Sequence, residues 1–267
     1  MKALEQDFAT TVNRVRINST GKEYSFREVK VSEQKTLSRI MINNELRKDI
    51  IYDAQCALIN SIVLDEDFDI YDFTEFDKIK MLLLVYQSSM LKKEVTFTCK
   101  HCGTENAYEM DFQAAIDRLD AIDVADREFV FKDAKREYKF MISYPSVRRV
   151  SAFYKQYISS HKMTKENKDQ QETNLNFEYI NLFMKSVTIK NIETGAEKFI
   201  DFSNYGPLDI TDIVAVFPYE VIYNDDGILR FITKEFIGKI NDQFEAHYCL
   251  QCHEKYEGGI DDAASFL

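Results

Sequence analysis

The alternation of apolar and polar residues predicts a β-hairpin near the start of the chain. Val12 to Ile17 alternates in part and Tyr24 to Val31 more strictly, as a strand with one buried face does. Ser19-Thr-Gly21 lies between the two runs and supplies residues suited to a tight turn. Further strand pairs are predicted at 129–131 with 137–142 and at 187–190 with 197–200.

A period near 3.6 residues predicts that most of the remaining chain is helical. The predicted helices start at Ser32 and run over Asn44–Val63, Thr74–Leu91, Asp111–Leu119, Val147–Ser160, Leu175–Met184, Leu208–Phe217 and Gly227–Ile240. On the second of them we expect six side chains to face inward: Ile50, Ile51, Ala54, Ala57, Leu58 and Ile62. Residues 161–174 are polar, so we expect a flexible surface loop there.

Composition favours the same class of fold. The chain has 267 residues with only 3 Pro and 8 Gly, which is too few turn residues for a large all-β fold. We therefore predict an α+β fold that is mainly α-helical. Its length allows one large domain or two ordinary ones.

Charge and hydropathy argue against two classes of partner. The formal net charge of −11 disfavours nonspecific binding to a phosphate backbone. The chain opens without a signal-peptide pattern, and its longest apolar run, Met81–Tyr86, is far too short to span a bilayer. Five cysteines, four of them in close pairs, suit a reducing compartment. We expect no nucleic acid and no membrane as partners, and a cytoplasmic location.

The candidate chemistry lies in two short cysteine pairs that are far apart in the sequence. They are Cys99-Lys-His-Cys102 and Cys249-Leu-Gln-Cys252. Each pair puts two thiols on one turn between strand-like runs, which is half of a closed, tetrahedral four-thiolate zinc site. The sequence therefore predicts a structural zinc ion bound by all four cysteines, in a zinc ribbon assembled from two distant CxxC turns.

Other interpretations of these pairs fit less well. A redox pair needs a thioredoxin-like βαβ context, which neither pair has, and disulfides would suit a secreted protein. A catalytic zinc needs an open position for water, and four thiolates leave none. His101, His247 and His253 lie in or beside the turns and can replace a cysteine as ligand. We interpret them as ordinary turn residues.

The sequence carries none of the common catalytic motifs. A Walker-type loop, a G-x-S-x-G elbow, an HExxH helix and a glycine-rich dinucleotide turn are all missing. We therefore predict that the protein is not an enzyme.

The position of the two cysteine turns suggests three segments. Residues 1–120 form an N-terminal domain with the hairpin, helices and the first half of the ribbon. Residues 121–242 form an inserted α+β lobe. Residues 243–267 hold the second half of the ribbon and a C-terminal tail that ends in Phe266-Leu267.

An ordered series of motifs points to a known family. In chain order they are Ser19-Thr-Gly-Lys-Glu-Tyr-Ser-Phe-Arg27, Val31-Ser-Glu-Gln-Lys35, the helix around Cys56, Asp67-Phe-Asp69, Phe76-Asp77, the helix to Met90, and Cys99-Lys-His-Cys102. Over about residues 15–115 the chain resembles the baseplate protein family of T-even-type contractile-tailed bacteriophages. Members of that family are described as baseplate hub subunits or hub assembly proteins.

The resemblance implies a non-enzymatic role in building the hub at the distal end of the tail. We expect a scaffold or chaperone whose partners are hub proteins and the tape-measure protein. It would act in the host cytoplasm during assembly, or remain in the tail baseplate of the virion. The alternative is a zinc-ribbon nucleic-acid-binding regulator, against which the acidic net charge argues.

Overall fold

The computed structural model describes residues 12–89, 94–109, 111–241 and 247–256. Its strands are β1 Val12–Arg16, β2 Glu23–Arg27, β3 Glu94–Thr98, β4 Glu105–Glu109, β5 Arg127–Lys132, β6 Arg136–Ile142, β7 Met184–Asn191, β8 Glu197–Asp201, β9 His247–Tyr248 and β10 Lys255–Tyr256. Its helices are α1 Val31–Asn43, α2 Lys48–Ile62, α3 Glu75–Ser89, α4 Phe112–Asp120, α5 Val147–Ser160, α6 Lys168–Ile180, α7 Asp209–Val214, α8 Tyr219–Tyr223, α9 Ile228–Ile232 and α10 Lys239–Asn241. The predicted α+β class is confirmed. The predicted tail with Phe266-Leu267 lies outside the described residues.

The N-terminal hairpin forms where the alternation predicted it. β1 and β2 pair in antiparallel fashion, with Val15 opposite Tyr24. Gly21 in the turn has a φ angle of 71°, a conformation that glycine adopts at little cost. Val15, Tyr24 and Phe26 are buried, and Phe26 forms a bridge to Val63 just after α2. The hairpin therefore packs its apolar face on the first helices.

A buried lysine joins this hairpin to α3 and α4. Lys80 of α3 is only 1% exposed, and its ammonium group donates to the main-chain oxygen of Arg16 and, at 2.8 Å, to Oδ1 of Asn18. The same group pairs with Asp120 at the end of α4. A buried ammonium group is costly unless several acceptors surround it, as they do here. These contacts fix both ends of the segment that carries the first cysteine turn.

Four strands form one antiparallel sheet in the order β5-β6-β7-β8. The two predicted strand pairs are thus joined through β6 and β7, where Phe140 lies opposite Val187. The apolar face of this sheet packs on aromatic side chains of the later helical segment. The ring centroids of Phe140 and Phe217 are 5.5 Å apart, and those of Phe129 and Phe231 are 5.2 Å apart.

The prediction of a flexible loop over residues 161–174 is wrong in its second half, because α6 begins at Lys168. Within this helix only Leu175 is fully buried, so its sequence shows little helical periodicity. Two ion pairs also join it to the segment before and at the start of α2: Lys48 lies 3.3 Å from Glu172, and Lys168 lies 2.6 Å from Glu45.

The buried face of α2 also differs from the prediction at one position. Ala57 is exposed rather than inward-facing. The buried side chains of this helix include Tyr52, Cys56 and Ile59. The side of the helix that faces the core is therefore centred on these residues, and Ala57 lies outside it. Cys56 is fully buried, which is typical of a free cysteine that packs as a small apolar residue.

The helical segment that precedes the second cysteine turn contains a π turn. Helix α9 continues through Thr233–Gly238 with π geometry into α10. The main-chain oxygen of Phe236 accepts a hydrogen bond from the Tyr144 hydroxyl at 3.2 Å, which ties this segment to the end of β6. One hydrophobic cluster extends from Val15 to Ile240. The division of the chain at residues 120 and 242 stays a prediction.

Candidate metal centre

The four paired cysteines lie in the turns of two small β-hairpins. The first turn joins β3 to β4, and the second joins β9 to β10. Both hairpins are antiparallel, with Thr98 opposite Glu105 in the first and Tyr248 opposite Lys255 in the second.

The two turns repeat the same backbone geometry. The Cys99 amide donates to the Thr104 carbonyl at 2.9 Å, and the Cys249 amide donates to the Glu254 carbonyl at 2.9 Å. Each turn then places a residue with positive φ directly after its second cysteine, Gly103 at 73° and His253 at 58°. The two turns are thus equivalent halves, although their sequences share little beyond the cysteines.

The fold brings all four sulfur atoms together. Cys99 Sγ lies 3.6 Å from Cys252 Sγ, and Cys102 Sγ lies 3.5 Å from Cys249 Sγ. All four sulfurs lie within 4.8 Å of one another. Four sulfurs placed tetrahedrally at about 2.3 Å from zinc would be roughly 3.8 Å apart, whereas a disulfide needs about 2.05 Å. The spacing therefore fits four ligands around one ion and not two disulfide bonds.

The surroundings of the sulfurs favour thiolates at two of the positions. Amide N–H groups of Cys252 and then Gln251 lower the pKa of Cys249 to about 6. The hydroxyl and amide of Thr104 lower the pKa of Cys102. The Glu254 amide also favours the Cys252 thiolate, but burial and the neighbouring sulfurs outweigh it and raise the pKa of Cys252 to about 12. A divalent cation would remove the repulsion that opposes four neighbouring thiolates.

Asn106 joins the two halves, and sequence analysis missed it. This β4 side chain is 3% exposed, and its Nδ2 donates to the Thr104 carbonyl at 2.9 Å. Its Nδ2 also lies 3.6 Å from Cys249 Sγ, while its Oδ1 accepts from the Leu250 amide at 2.9 Å. A second link is the Thr104 hydroxyl, which donates to the side-chain oxygen of Gln251. The only hint in the sequence was a polar residue within a strand next to a cysteine turn.

His101 and His253 do not join the sulfur cluster. His101 and His253 are exposed, and the four-residue cluster contains cysteines only. The side chain of His247 lies outside the described part of the chain. The donor set is therefore four sulfurs, which suits zinc or another thiophilic ion, and it can hold such an ion without a histidine.

Comparison with known proteins identifies the family. The family model for T4 bacteriophage base plate protein matches residues 9–266. The chain belongs to this family. The match extends far beyond residues 15–115, where the motifs suggested the resemblance, and it includes both cysteine turns. No curated protein and no solved structure gives a significant match.

Membership of the baseplate family has consequences for partners and location. The family indicates a phage baseplate structural protein, and it implies contacts with other baseplate proteins and a location in the virion tail. Within the described ranges, no helix is long and apolar enough to cross a membrane.

Proposed function

We propose that this chain is a non-enzymatic baseplate hub protein or hub assembly factor, a scaffold or chaperone with one structural zinc ion in a zinc ribbon. Membership of the baseplate family is the observation that carries the proposal. The four-sulfur cluster supports the zinc part, because its spacing and its closed set of donors match a structural rather than a catalytic zinc site.

The position of the cluster explains what zinc would contribute. The first turn is anchored through α3 and α4, and the second follows the helical segment that ends at Asn241. Among the described side chains of the two hairpins, the shared hydrophobic cluster contains Cys99 and Cys249 as its buried members. Binding of a structural zinc supplies about 10–16 kcal/mol in isolated zinc-finger peptides, and here it would stabilise the pairing of the two halves.

The buried ionisable groups of the chain support a non-enzymatic role. Glu75 accepts from the Tyr52 hydroxyl, and Lys78 lies 3.5 Å from Glu75 and 3.1 Å from the side-chain oxygen of Gln55. The Lys78 ammonium also lies 3.9 Å from the centre of the Tyr52 ring. These groups satisfy one another within the core, which is typical of a structural network.

The nucleic-acid alternative finds little support in the charges. Residues 94–109 and 247–256 together carry four acidic and two basic side chains, Lys100 and Lys255. The most basic part of α5 is paired: Arg148 lies 2.7 Å from Asp72, and Lys155 lies 2.7 Å from Asp53. A surface that binds phosphates needs unpaired cations in a row. A gel shift that is lost at moderate salt would revive this alternative.

We further infer that the partners are hub proteins and the tape-measure protein, and that assembly begins in the host cytoplasm. A phage without this gene tests the function. It should produce heads but no functional tails, and the wild-type gene supplied in trans should restore them. Infectious tails from the null phage, or turnover of a substrate by the purified protein, would contradict the proposal. Mass spectrometry of purified virions then distinguishes the two roles. The protein is detected in virions if it is a baseplate component, and it is absent from them if it is an assembly factor.

A further inference from the structure

Helix α1 presents an exposed face that is apolar at its ends and basic in the middle. Val31 and Ile42 are 66% and 77% exposed, and Lys35 and Arg39 between them are exposed as well. The spacing 31, 35, 39 and 42 places these side chains on one side of the helix. Within the part of the chain that the structure describes, neither Lys35 nor Arg39 lies within ion-pair distance of a carboxylate.

This face belongs to a basic part of an acidic protein. From the start of β1 to the end of α1 the chain has seven basic and three acidic side chains, whereas the whole chain has a net charge of −11. The local surplus of positive charge favours an acidic partner surface.

A second surface has the complementary character. Around α8, Val216, Tyr219 and Tyr223 are 81%, 67% and 51% exposed, and the two tyrosine rings stack with their centroids 5.1 Å apart. From residue 209 to residue 226 the chain has five acidic and no basic side chains. Among them, Asp212 and Glu220 are exposed, and neither has a basic partner among the described residues.

We propose that copies of this chain associate head to tail, with the α1 face of one copy on the α8 surface of the next. Lys35 and Arg39 would meet Asp212 and Glu220 and the faces of the stacked tyrosines, while one apolar end of the α1 face covers Val216. A contact between two different surfaces is heterologous, so it generates a ring if it closes and an open row of copies if it does not. This inference requires neither zinc nor the hub role.

Light scattering coupled to size-exclusion chromatography tests the proposal on the full-length protein. At low salt and increasing concentration, the mass should rise above the 31.3 kDa of one chain, and it should return towards that value at high salt. Two variants test the surfaces separately, Lys35→Glu with Arg39→Glu, and Asp212→Lys with Glu220→Lys. Each should weaken association at least about tenfold. Lys198→Glu and Glu128→Lys alter exposed charges elsewhere and should leave association unchanged.

Mixing the two variants gives the decisive result. Each variant alone carries two surfaces of the same sign, but a mixture again offers opposite charges at every contact, so association should return. That recovery also shows that both variants are folded. A mass of 31.3 kDa at all concentrations and salts would overturn the proposal and leave the two surfaces to other baseplate proteins. Association that persists in either variant alone would also overturn it. So would a mixture that stays monomeric although both variants have the thermal stability of the parent protein.

Discussion

Asn106 Nδ2 lies 3.6 Å from Cys249 Sγ, although the two residues are 143 positions apart in the chain. The same side chain contacts the main chain of both cysteine turns, at the Thr104 carbonyl and the Leu250 amide. A buried amide with all these partners in place orients the sulfur ligands without binding the ion itself. The two halves of the cluster are therefore joined by protein contacts as well as by any metal.

Replacing Asn106 by Ala should weaken metal binding. The variant loses the contacts to both turns and leaves the Leu250 amide without its acceptor, so we expect zinc affinity to fall about 10–100-fold. Competition with a chromophoric chelator measures this change. Asn43→Ala, at the exposed end of α1, is the matched control and should bind zinc as the parent does. Equal affinities for both variants would contradict a positioning role for Asn106.

Loss of a single cysteine should unfold the cluster locally rather than the whole protein. Cys99→Ser or Cys252→Ser should lower zinc content and soluble yield, because an incomplete shell holds the ion poorly. Hydrogen exchange should rise in residues 94–109 and 247–256, while the β5–β8 sheet keeps its protection. Cys56→Ala, in the core around α2, should retain zinc. Global unfolding of the Cys99 variant would contradict this prediction, because it would show that the remaining core does not stay folded without the cluster.

The positive φ angles predict opposite effects at equivalent positions of the two turns. His253 adopts a φ of 58°, a conformation that costs an L-residue about 1 kcal/mol and glycine far less. His253→Gly should therefore preserve or raise the stability of the metal-bound protein. Gly103→Ala should lower it by about 1 kcal/mol, even though no atom lies within 4 Å of the added methyl group. Thermal melts of the two variants compare them directly, and a destabilised His253→Gly protein would contradict this account.

Stability should fall as pH rises through the range where Glu75 ionises. Burial raises the pKa of Glu75 above its ordinary value of 4.5, with Lys78 opposing the shift. Between 4.5 and the folded pKa the unfolded chain has released a proton that the folded protein keeps, so the free energy of unfolding decreases with pH. Glu75→Gln should flatten that slope in urea titrations at pH values above 4.5.

Glu33 provides the control of opposite sign. Its hydrogen bonds to Arg27 lower its pKa below 4.5, so its stabilising contribution is present above that pH and is lost on acidification. Glu33→Gln should therefore change the pH dependence only on the acid side. If Glu75→Gln keeps the parent's decrease of unfolding free energy with pH above 4.5, Glu75 does not titrate as described.

Local patterns were sufficient to predict the elements with strong periodicity. The hairpin around Gly21, helix α5 and the strands of the sheet lie close to their predicted positions, because one face of each is clearly apolar. The CxxC spacing likewise indicated which four cysteines come together, since two thiols on one turn leave half of a tetrahedral shell open.

The features that the sequence did not predict depend on contacts between distant parts of the chain. Helix α6 packs Leu175 into the core and pairs with Glu45 and Lys48, and no local pattern reveals these contacts. Strand β6 pairs with β7 although α5 and α6 lie between them in the chain, and the role of Asn106 arises only once both turns meet. A lysine is usually exposed, so the sequence around Lys80 does not indicate that this side chain is buried among hydrogen-bond acceptors.

The central claim is that four cysteines from two distant turns bind one structural zinc ion. Metal analysis of the protein, purified under reducing conditions, combined with X-ray absorption at the zinc edge tests it most directly. We predict one zinc ion per chain, surrounded by four sulfur atoms at about 2.3 Å. A metal-free protein that fails to take up added zinc, or a zinc ion with fewer than four sulfur ligands, would contradict it.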